Sequence, residues 1–203
     1  LVWSRPGYGR STPRAPDEHW APDFMHRQAR EVLPALFEAL GVECPWLFGH
    51  SDGGSISLLY AAMFPQALRG AIVLAPHIMV EEISVTSIAQ AKQAYEDQGL
   101  RERLARYHDD VDSAFYGWND IWLSPAFRDW NIEAELAAIR CPLLAMQGED
   151  DEYGTMRQVL GIREHLPATE LLALPACGHS PHRDQPQAVI DAVRNFIARH
   201  ATA

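Results

Sequence analysis

Lysine is almost absent from this chain. Lys92 is the only lysine among the 17 basic residues, and the formal net charge at pH 7 is −10. A protein that binds the phosphates of a nucleic acid or an anionic membrane usually carries a surplus of basic side chains, so this charge argues against both partners. The use of arginine in place of lysine indicates a GC-rich coding genome, and we expect a bacterial source.

Cysteines and long apolar runs are also scarce. The three cysteines, Cys44, Cys141 and Cys177, are odd in number and scattered, which argues against a disulfide framework and predicts reduced thiols in the cytoplasm. No apolar run reaches the length of a membrane span. The hydrophobic share of 47% and the charged share of 22% are typical of a globular protein, and 203 residues suit one domain with a sizeable core.

The most informative motif is Gly-His-Ser-Asp-Gly at residues 49–53. It follows a short apolar run and precedes a helical run, which predicts a sharp strand-to-helix turn that lifts the Ser51 side chain above the edge of a sheet. We expect Gly49 and Gly53, flanked by Gly54, to keep this crowded turn free of Cβ atoms. Ser51 is therefore the candidate nucleophile.

A nucleophilic serine needs a base within hydrogen-bond reach and a group that orients the base. Two later strand-then-loop patterns supply candidates for both. One apolar run leads into Gly148-Glu149-Asp150-Asp151, and the next leads into a loop that contains Gly178-His179. His179 is the candidate base, and the acid is expected among the carboxylates after Gly148.

Four stretches together resemble the α/β-hydrolase fold family, in the family's order and over nearly the whole chain. They are residues 5–11, 49–54, 148–151 and 178–182. The resemblance implies a catalytic triad of Ser51, Asp151 and His179, because the family's acid usually sits three residues after the glycine that closes its strand. It favours Asp151 over Asp150, and it implies that the backbone N–H of Asp52 is one donor of the oxyanion hole.

The resemblance also implies an α/β architecture: a mostly parallel sheet flanked by helices, with an inserted helical cap. The core would comprise residues 1–78 and 138–203, and the cap residues 79–137, where the strand–helix rhythm breaks. Most of the cap's aromatic side chains should pack its own helices, while one or two face the substrate. These side chains are Tyr107, Phe115, Tyr116, Trp118, Trp122, Phe127 and Trp130.

The expected function is a serine hydrolase that cleaves a carboxylic ester, or a similar acyl bond of a small molecule, through an acyl-enzyme. Neither a cofactor nor a metal is expected, since His77, His179 and His182 have no further ligands at metal-site spacing. His50 and His182 are expected to be packing residues. Alternatives are a lactonase or a C–C bond hydrolase of ring-cleavage products, a perhydrolase with the same triad, and a non-catalytic binding protein on this scaffold.

The beginning of the chain differs from the family pattern. The family normally opens with three strands before the segment that residues 1–11 resemble, so Leu1-Val2-Trp3 is predicted to be the fourth strand. A loop among those earlier strands supplies the second oxyanion donor, for which this chain has no candidate. We therefore expect a piece of a longer hydrolase, or a short variant in which the first strand re-pairs or a partner fills the gap. A gap in the sheet would favour pairing with a second copy, as a homo-oligomer.

Periodicity predicts the remaining elements. We expect a helix over residues 24–40, a helix over 55–64, a buried strand over 71–74 and a last helix that begins near Asp184 and Pro186. The first of these helices should bury one face made of Val32, Leu33, Leu36, Phe37 and Leu40. The last helix should bury Val189, Ile190, Val193, Phe196 and Ile197 against the sheet.

Overall fold

The computed structural model describes residues 1–15 and 17–201. The chain forms two compact units. The first comprises Leu1–Asp23 and Glu82–Trp130, and the second comprises Phe24–Glu81 and the chain from Asn131 onward. The division into a core of residues 1–78 and 138–203 and a cap of residues 79–137 stays a prediction.

The second unit is built on a sheet of four parallel strands in the order β1-β2-β3-β4. The strands are β1 Trp46–His50, β2 Gly70–Leu74, β3 Leu143–Gly148 and β4 Glu170–Leu174. The predicted parallel α/β sheet is therefore confirmed. All residues of β2 and β3 are buried, as expected for apolar strands covered on both faces, whereas β1 and β4 are the partly exposed edges.

Helices precede, connect and follow the strands along the chain. In chain order they are α1 Phe24–Arg27, a π-helical turn at Gln28–Val32, α2 Leu33–Leu40, α3 Asp52–Met63, α4 Glu82–Asp97, α5 Leu100–Leu104, α6 Val111–Leu123, a 3₁₀ turn at Pro125–Phe127, α7 Glu133–Leu136, α8 Arg157–His165, α9 Pro181–Asp184 and α10 Pro186–His200. Among residues 1–15 and 17–201, none of these helices combines the length and the apolar character that crossing a membrane requires.

The predicted helix over residues 24–40 is present but is not regular. The Leu33 N–H donates to the Gln28 carbonyl five residues back, which makes a π turn in the middle of the segment. Pro34 follows at once, and a proline has no N–H and would clash with the preceding turn of a regular α-helix. In the regular helix after this turn, Leu33 and Phe37 are buried as expected, whereas Leu40, the last residue of α2, is 51% exposed.

The last helix, α10, packs on the sheet through a narrower face than predicted. Val189 and Phe196 are buried among apolar side chains of β2, β3 and β4, with Val193 and Ile197 packed against them. Ile190, which was expected in this face, is 48% exposed. A helix against a single sheet buries only the stripe that faces it, so the adjacent Val189 is covered and Ile190 is not.

The expectation of a strand at Leu1-Val2-Trp3 is wrong. These residues adopt no regular secondary structure, and Leu1 and Val2 are 82% and 99% exposed. A strand needs a neighbour for its backbone N–H and C=O groups, and the strand order of the described sheet ends at β1. β1 is thus an edge of this sheet, and its Phe48 is 51% exposed.

In the first unit, most of the aromatic side chains predicted for the cap pack against one another. Phe115 stacks on Tyr95 with a centroid distance of 3.7 Å, and the rings of Trp122 and Phe127 meet edge to face at 5.1 Å. Tyr107 is the exception, at 71% exposed. Tyr95 of α4 and Val111 and Phe115 of α6 form a buried apolar cluster of this unit, and side chains of α5 pack against it.

Candidate active site

Ser51 occupies the turn between the end of β1 and the start of α3, and its backbone is strained. Its φ of 53° and ψ of −125° lie in a region that residues with a Cβ rarely adopt. The turn is held by backbone hydrogen bonds: the Ser51 N–H donates to the Leu74 carbonyl at 2.9 Å, and the Ser51 carbonyl accepts from the Gly54 N–H at 2.8 Å. The sequence motif therefore forms the strand-turn-helix geometry that it predicts.

The three glycines of the motif differ in what they do. A Cβ on Gly49 would lie 2.2 Å from the Gly53 carbonyl oxygen, and a Cβ on Gly54 would lie 3.0 Å from Pro76. A Cβ on Gly53, however, would meet nothing within 4 Å. The expectation that Gly53 relieves crowding is wrong, because its α-carbon faces outward from the first turn of α3 while Gly49 lies against that turn.

His179 lies in the loop between β4 and α9, and its imidazole contacts both predicted partners. Its Nε2 is 3.0 Å from the Ser51 Oγ, and its Nδ1 is 2.9 Å from Oδ1 and 3.0 Å from Oδ2 of Asp151. If Nδ1 carries the hydrogen, it donates to the carboxylate and Nε2 is left to accept the serine proton. The three side chains thus form one continuous hydrogen-bonded chain.

Asp151 follows β3, and its side chain is almost completely buried, at 1% exposed. Besides the contact to His179, Oδ1 accepts the Tyr153 N–H at 2.8 Å. The neighbouring Asp150 is exposed, and its backbone N–H donates instead to the Cys177 carbonyl at 3.0 Å. The structure therefore brings Asp151, and not Asp150, to the histidine.

The loops after β3 and β4 lie against each other. The Glu149 N–H donates to the Leu174 carbonyl at 2.9 Å, and a Cβ on Gly148 would be only 2.1 Å from the Cys177 carbonyl oxygen. Cys177 is 1% exposed within the core, in keeping with the expected packing role. The close approach at Gly148 places the segments that carry Asp151 and His179 side by side.

His50 has a contact that sequence reasoning missed. Its Nε2 lies 2.7 Å from the His179 carbonyl oxygen, and its ring is 4.9 Å from the His179 ring and 4.8 Å from the His182 ring. Burial lowers the pKa of His50 to about 4, so the imidazole is neutral at pH 7 and its Nε2–H donates to the carbonyl. Only its place beside Ser51 in the sequence could have signalled this.

His77 follows β2 and also lies near His179. It is 3% exposed, its ring centroid is 5.8 Å from that of His179, and burial lowers its pKa to about 3. The Ser55 hydroxyl donates to the His77 carbonyl at 2.6 Å and accepts its N–H at 3.0 Å, which joins this segment to α3. Within the described ranges, no group of three or more His, Cys, Asp or Glu side chains could hold a metal ion.

Asp52 begins α3 directly after Ser51, so its backbone lies at the positive end of a 12-residue helix. The first N–H groups of a helix have no partner in the preceding turn and favour negative charge. This position is compatible with the expected oxyanion role of the Asp52 N–H, which stays a prediction.

Chemically, the site joins a hydroxyl, an imidazole and a buried carboxylate at the carboxyl ends of three parallel strands. The carboxylate can orient the imidazole, and the imidazole can remove the hydroxyl proton. Such an arrangement is suited to nucleophilic attack on an acyl carbon.

Comparison with known proteins assigns the fold to a family. Residues 1–192 match the model of the alpha/beta hydrolase family. The serine hydrolase BPHL of Mus musculus is 26% identical over 199 residues, which cover 90% of this chain and 63% of the relative. The bifunctional esterase/perhydrolase DCH of Acinetobacter calcoaceticus is 28% identical over 183 residues, covering 75% of this chain and 64% of the relative. The chain thus spans less than two thirds of the length of these curated relatives.

Solved structures agree with the family match at the level of the fold. A carboxylesterase structure from the ammonia-oxidizing thaumarchaeon Nitrososphaera gargenis superposes with a TM-score of 0.77 at 21% identity, over 98% of this chain and 79% of that chain. From its parallel sheet, its strained serine turn and its match to the family model, the chain belongs to the alpha/beta hydrolase family.

Proposed function

We propose that this chain is a serine hydrolase that cleaves carboxylic esters, or similar acyl bonds of small molecules, with Ser51 as nucleophile, His179 as base and Asp151 as the orienting acid. The observation that carries the proposal is the hydrogen-bonded chain from the Ser51 Oγ through both imidazole nitrogens to the buried Asp151 carboxylate. A serine outside a catalytic site has no need of a base that is itself held by a buried carboxylate.

In the first half of the reaction, the Ser51 Oγ attacks the acyl carbon while its proton passes to the His179 Nε2. Asp151 stabilises the imidazolium and keeps Nδ1 protonated. Negative charge develops on the former carbonyl oxygen, and the Asp52 N–H donates to it. His179 then gives its proton to the leaving alkoxide, which departs as an alcohol and leaves an acyl-Ser51 ester.

In the second half, a water molecule takes the place of the alcohol. His179 removes a proton from the water, whose oxygen attacks the acyl carbon of the acyl-enzyme. The collapse of this second intermediate breaks the bond to the Ser51 Oγ, which recovers its proton from His179. The net reaction is ester plus water to carboxylic acid plus alcohol, and every proton transfer is made by the triad.

The same triad would also serve a lactonase, a C–C bond hydrolase or a perhydrolase, and no contact in the site favours one of these over ester hydrolysis. A non-catalytic binding protein is the alternative from another class. It has less support, because all three triad side chains are present and hydrogen-bonded.

The free thiols of Cys44, Cys141 and Cys177 are in keeping with the proposed cytoplasmic location.

The proposal is tested by labelling with a fluorophosphonate probe and by hydrolysis of short p-nitrophenyl esters. Wild type and the control Ser180→Ala, which changes a different serine next to the base, should label and turn over alike. Ser51→Ala should not label and should lose at least about 10⁴-fold in kcat. Circular dichroism checks that Ser51→Ala is folded. Labelling of folded Ser51→Ala at the wild-type rate would refute the assignment, and absence of labelling in wild type would favour the non-catalytic alternative.

A further inference from the structure

The first unit contains a pocket of its own, with a volume of about 180 Å³. Arg14, His19 and Trp20 form one wall, and the second half of α6 with its C-cap residue forms the other. The α6 side contributes Tyr116, Asp120 and Ser124. The serine chemistry proposed above makes no use of any of these side chains.

Arg14 is held in this pocket with its charge incompletely partnered. Its backbone N–H donates to the Ser113 Oγ of α6 at 2.8 Å, and this hydrogen bond holds the Arg14 backbone beside α6. The Nε and Nη1 atoms of the guanidinium are shielded from solvent and have no hydrogen-bond partner among the described residues. Shielding charged donors without acceptors is costly, and a negative charge bound beside the guanidinium would offset part of that cost.

The charges around Arg14 favour a singly charged ligand. Asp120 lines the same pocket but forms no ion pair with Arg14 in the described part of the chain; its Oδ1 lies 4.0 Å from the Lys92 Nζ. The Lys92 ammonium is also 5.9 Å from the centre of the Tyr116 ring. Asp120 would repel a dianion such as phosphate about twice as strongly as a monoanion, and a single carboxylate is enough to balance the one guanidinium charge of Arg14.

The shape of the pocket favours a flat apolar body next to that carboxylate. Trp20 and Tyr116 supply aromatic walls. Gly117 follows Tyr116 in the middle of α6, where glycine is less favourable than alanine for helix stability by about 1 kcal/mol. A Cβ at this position would lie 2.8 Å from the Trp20 Nε1 and 3.4 Å from the Arg14 Nε, so the glycine lets both side chains reach the helix.

We propose that this pocket binds a small aromatic monocarboxylate, with the Arg14 guanidinium on the carboxylate and the Trp20 and Tyr116 rings against the ligand body. The site lies within the first unit and does not depend on the function proposed for Ser51. The proposed ligand differs from phosphate in its single negative charge. It differs from a neutral aromatic compound because its binding depends on the Arg14 guanidinium.

The test is isothermal titration of the intact chain with sodium benzoate, with benzamide and inorganic phosphate as comparison ligands. Wild type should bind benzoate, and the exposed control Arg10→Gln should bind it equally. Arg14→Gln should weaken benzoate binding by at least about tenfold, which corresponds to about 1.4 kcal/mol. Benzamide and phosphate should bind more weakly than benzoate does.

A second variant locates the site without changing its charge. The added methyl group of Gly117→Ala would crowd the Trp20 and Arg14 side chains, so this variant should weaken benzoate binding while circular dichroism shows the helix content of wild type. The proposal is overturned by any of three results: no benzoate binding to wild type at millimolar concentration, equal binding to benzamide, or unchanged affinity in both Arg14→Gln and Gly117→Ala.

Discussion

The two outer glycines of the serine motif provide a matched pair for mutation, because the structure expects opposite effects from the same added methyl group. Gly49 is buried at the end of β1, and Gly53 lies in the first turn of α3. An alanine at Gly49 would place its Cβ 2.2 Å from the Gly53 carbonyl oxygen, 2.5 Å from the Gly53 carbonyl carbon and 2.6 Å from the Ser57 Oγ. An alanine at Gly53 would meet nothing within 4 Å.

The magnitude follows from which atoms are too close. Ordinary contacts of a Cβ begin near 3.4 Å, so Gly49→Ala is short by more than 1 Å against backbone atoms that no rotamer change can move. Overpacking of a core costs about 1–3 kcal/mol, and we expect about 3 kcal/mol here because β1 and α3 must separate. For a chain of this size that lowers Tm by roughly 6–12 °C. Gly53→Ala should leave the free energy of unfolding unchanged, or raise it by up to about 1 kcal/mol through helix propensity.

The assay is urea unfolding followed by far-ultraviolet circular dichroism and by tryptophan fluorescence. The chain has two compact units, so coincidence of the two probes is needed before a single free energy is taken from either. The reasoning is refuted if Gly49→Ala lies within about 0.5 kcal/mol of wild type, which is the range of ordinary surface substitutions. It is also refuted if Gly53→Ala is destabilised as much as Gly49→Ala.

Two further predictions concern the site. Asp151→Asn should lower kcat for ester hydrolysis by about 10⁴-fold, because the amide would donate to Nδ1 of His179 and leave Nε2 protonated. The control Asp150→Asn, at an exposed position, should keep wild-type activity. Burial lowers the pKa of His50 to about 4 from an unfolded value near 6.5, so the unfolded chain binds more protons between these values and stability falls as the pH drops through that window. In urea titrations at pH 7, 6, 5 and 4, His50→Gln should lose stability less steeply than wild type, and parallel slopes would contradict the burial argument.

The strands were the elements that sequence predicted best. Continuous apolar runs ending at a glycine, a proline or a charged cluster are what fully covered parallel strands require, and β2 and β3 are buried along their whole length. Because parallel strands end at one edge of the sheet, the residues after β1, β3 and β4 could be expected to meet there. The contacts of Ser51, Asp151 and His179 agree with that expectation.

Features that depend on tertiary packing could not be predicted in this way. Periodicity assumes a regular helix with a continuous buried face, so it could not foresee the π turn before Pro34 or the exposure of Leu40 at the end of α2. It also could not tell that Leu1-Val2-Trp3 pairs with no strand of the described sheet. The hydrogen bond from His50 to the carbonyl of His179 joins residues that are 129 positions apart, and no local pattern encodes such a pair.

The strain at Ser51 and the burial of α3 are two parts of one arrangement. A positive φ at a residue with a Cβ costs about 1–3 kcal/mol, and it persists only where the surroundings leave the chain no alternative. Nine of the 12 residues of α3 are buried. Two of its buried serines form hydrogen bonds: the Ser57 hydroxyl donates to the Gly53 carbonyl, and the Ser55 hydroxyl donates to the His77 carbonyl and accepts the His77 N–H. Releasing the strain would require the whole helix to shift, since Gly49 lies directly against its first turn. The helix therefore holds the Ser51 side chain at a fixed place above the sheet, where the imidazole of His179 can reach it without rearrangement.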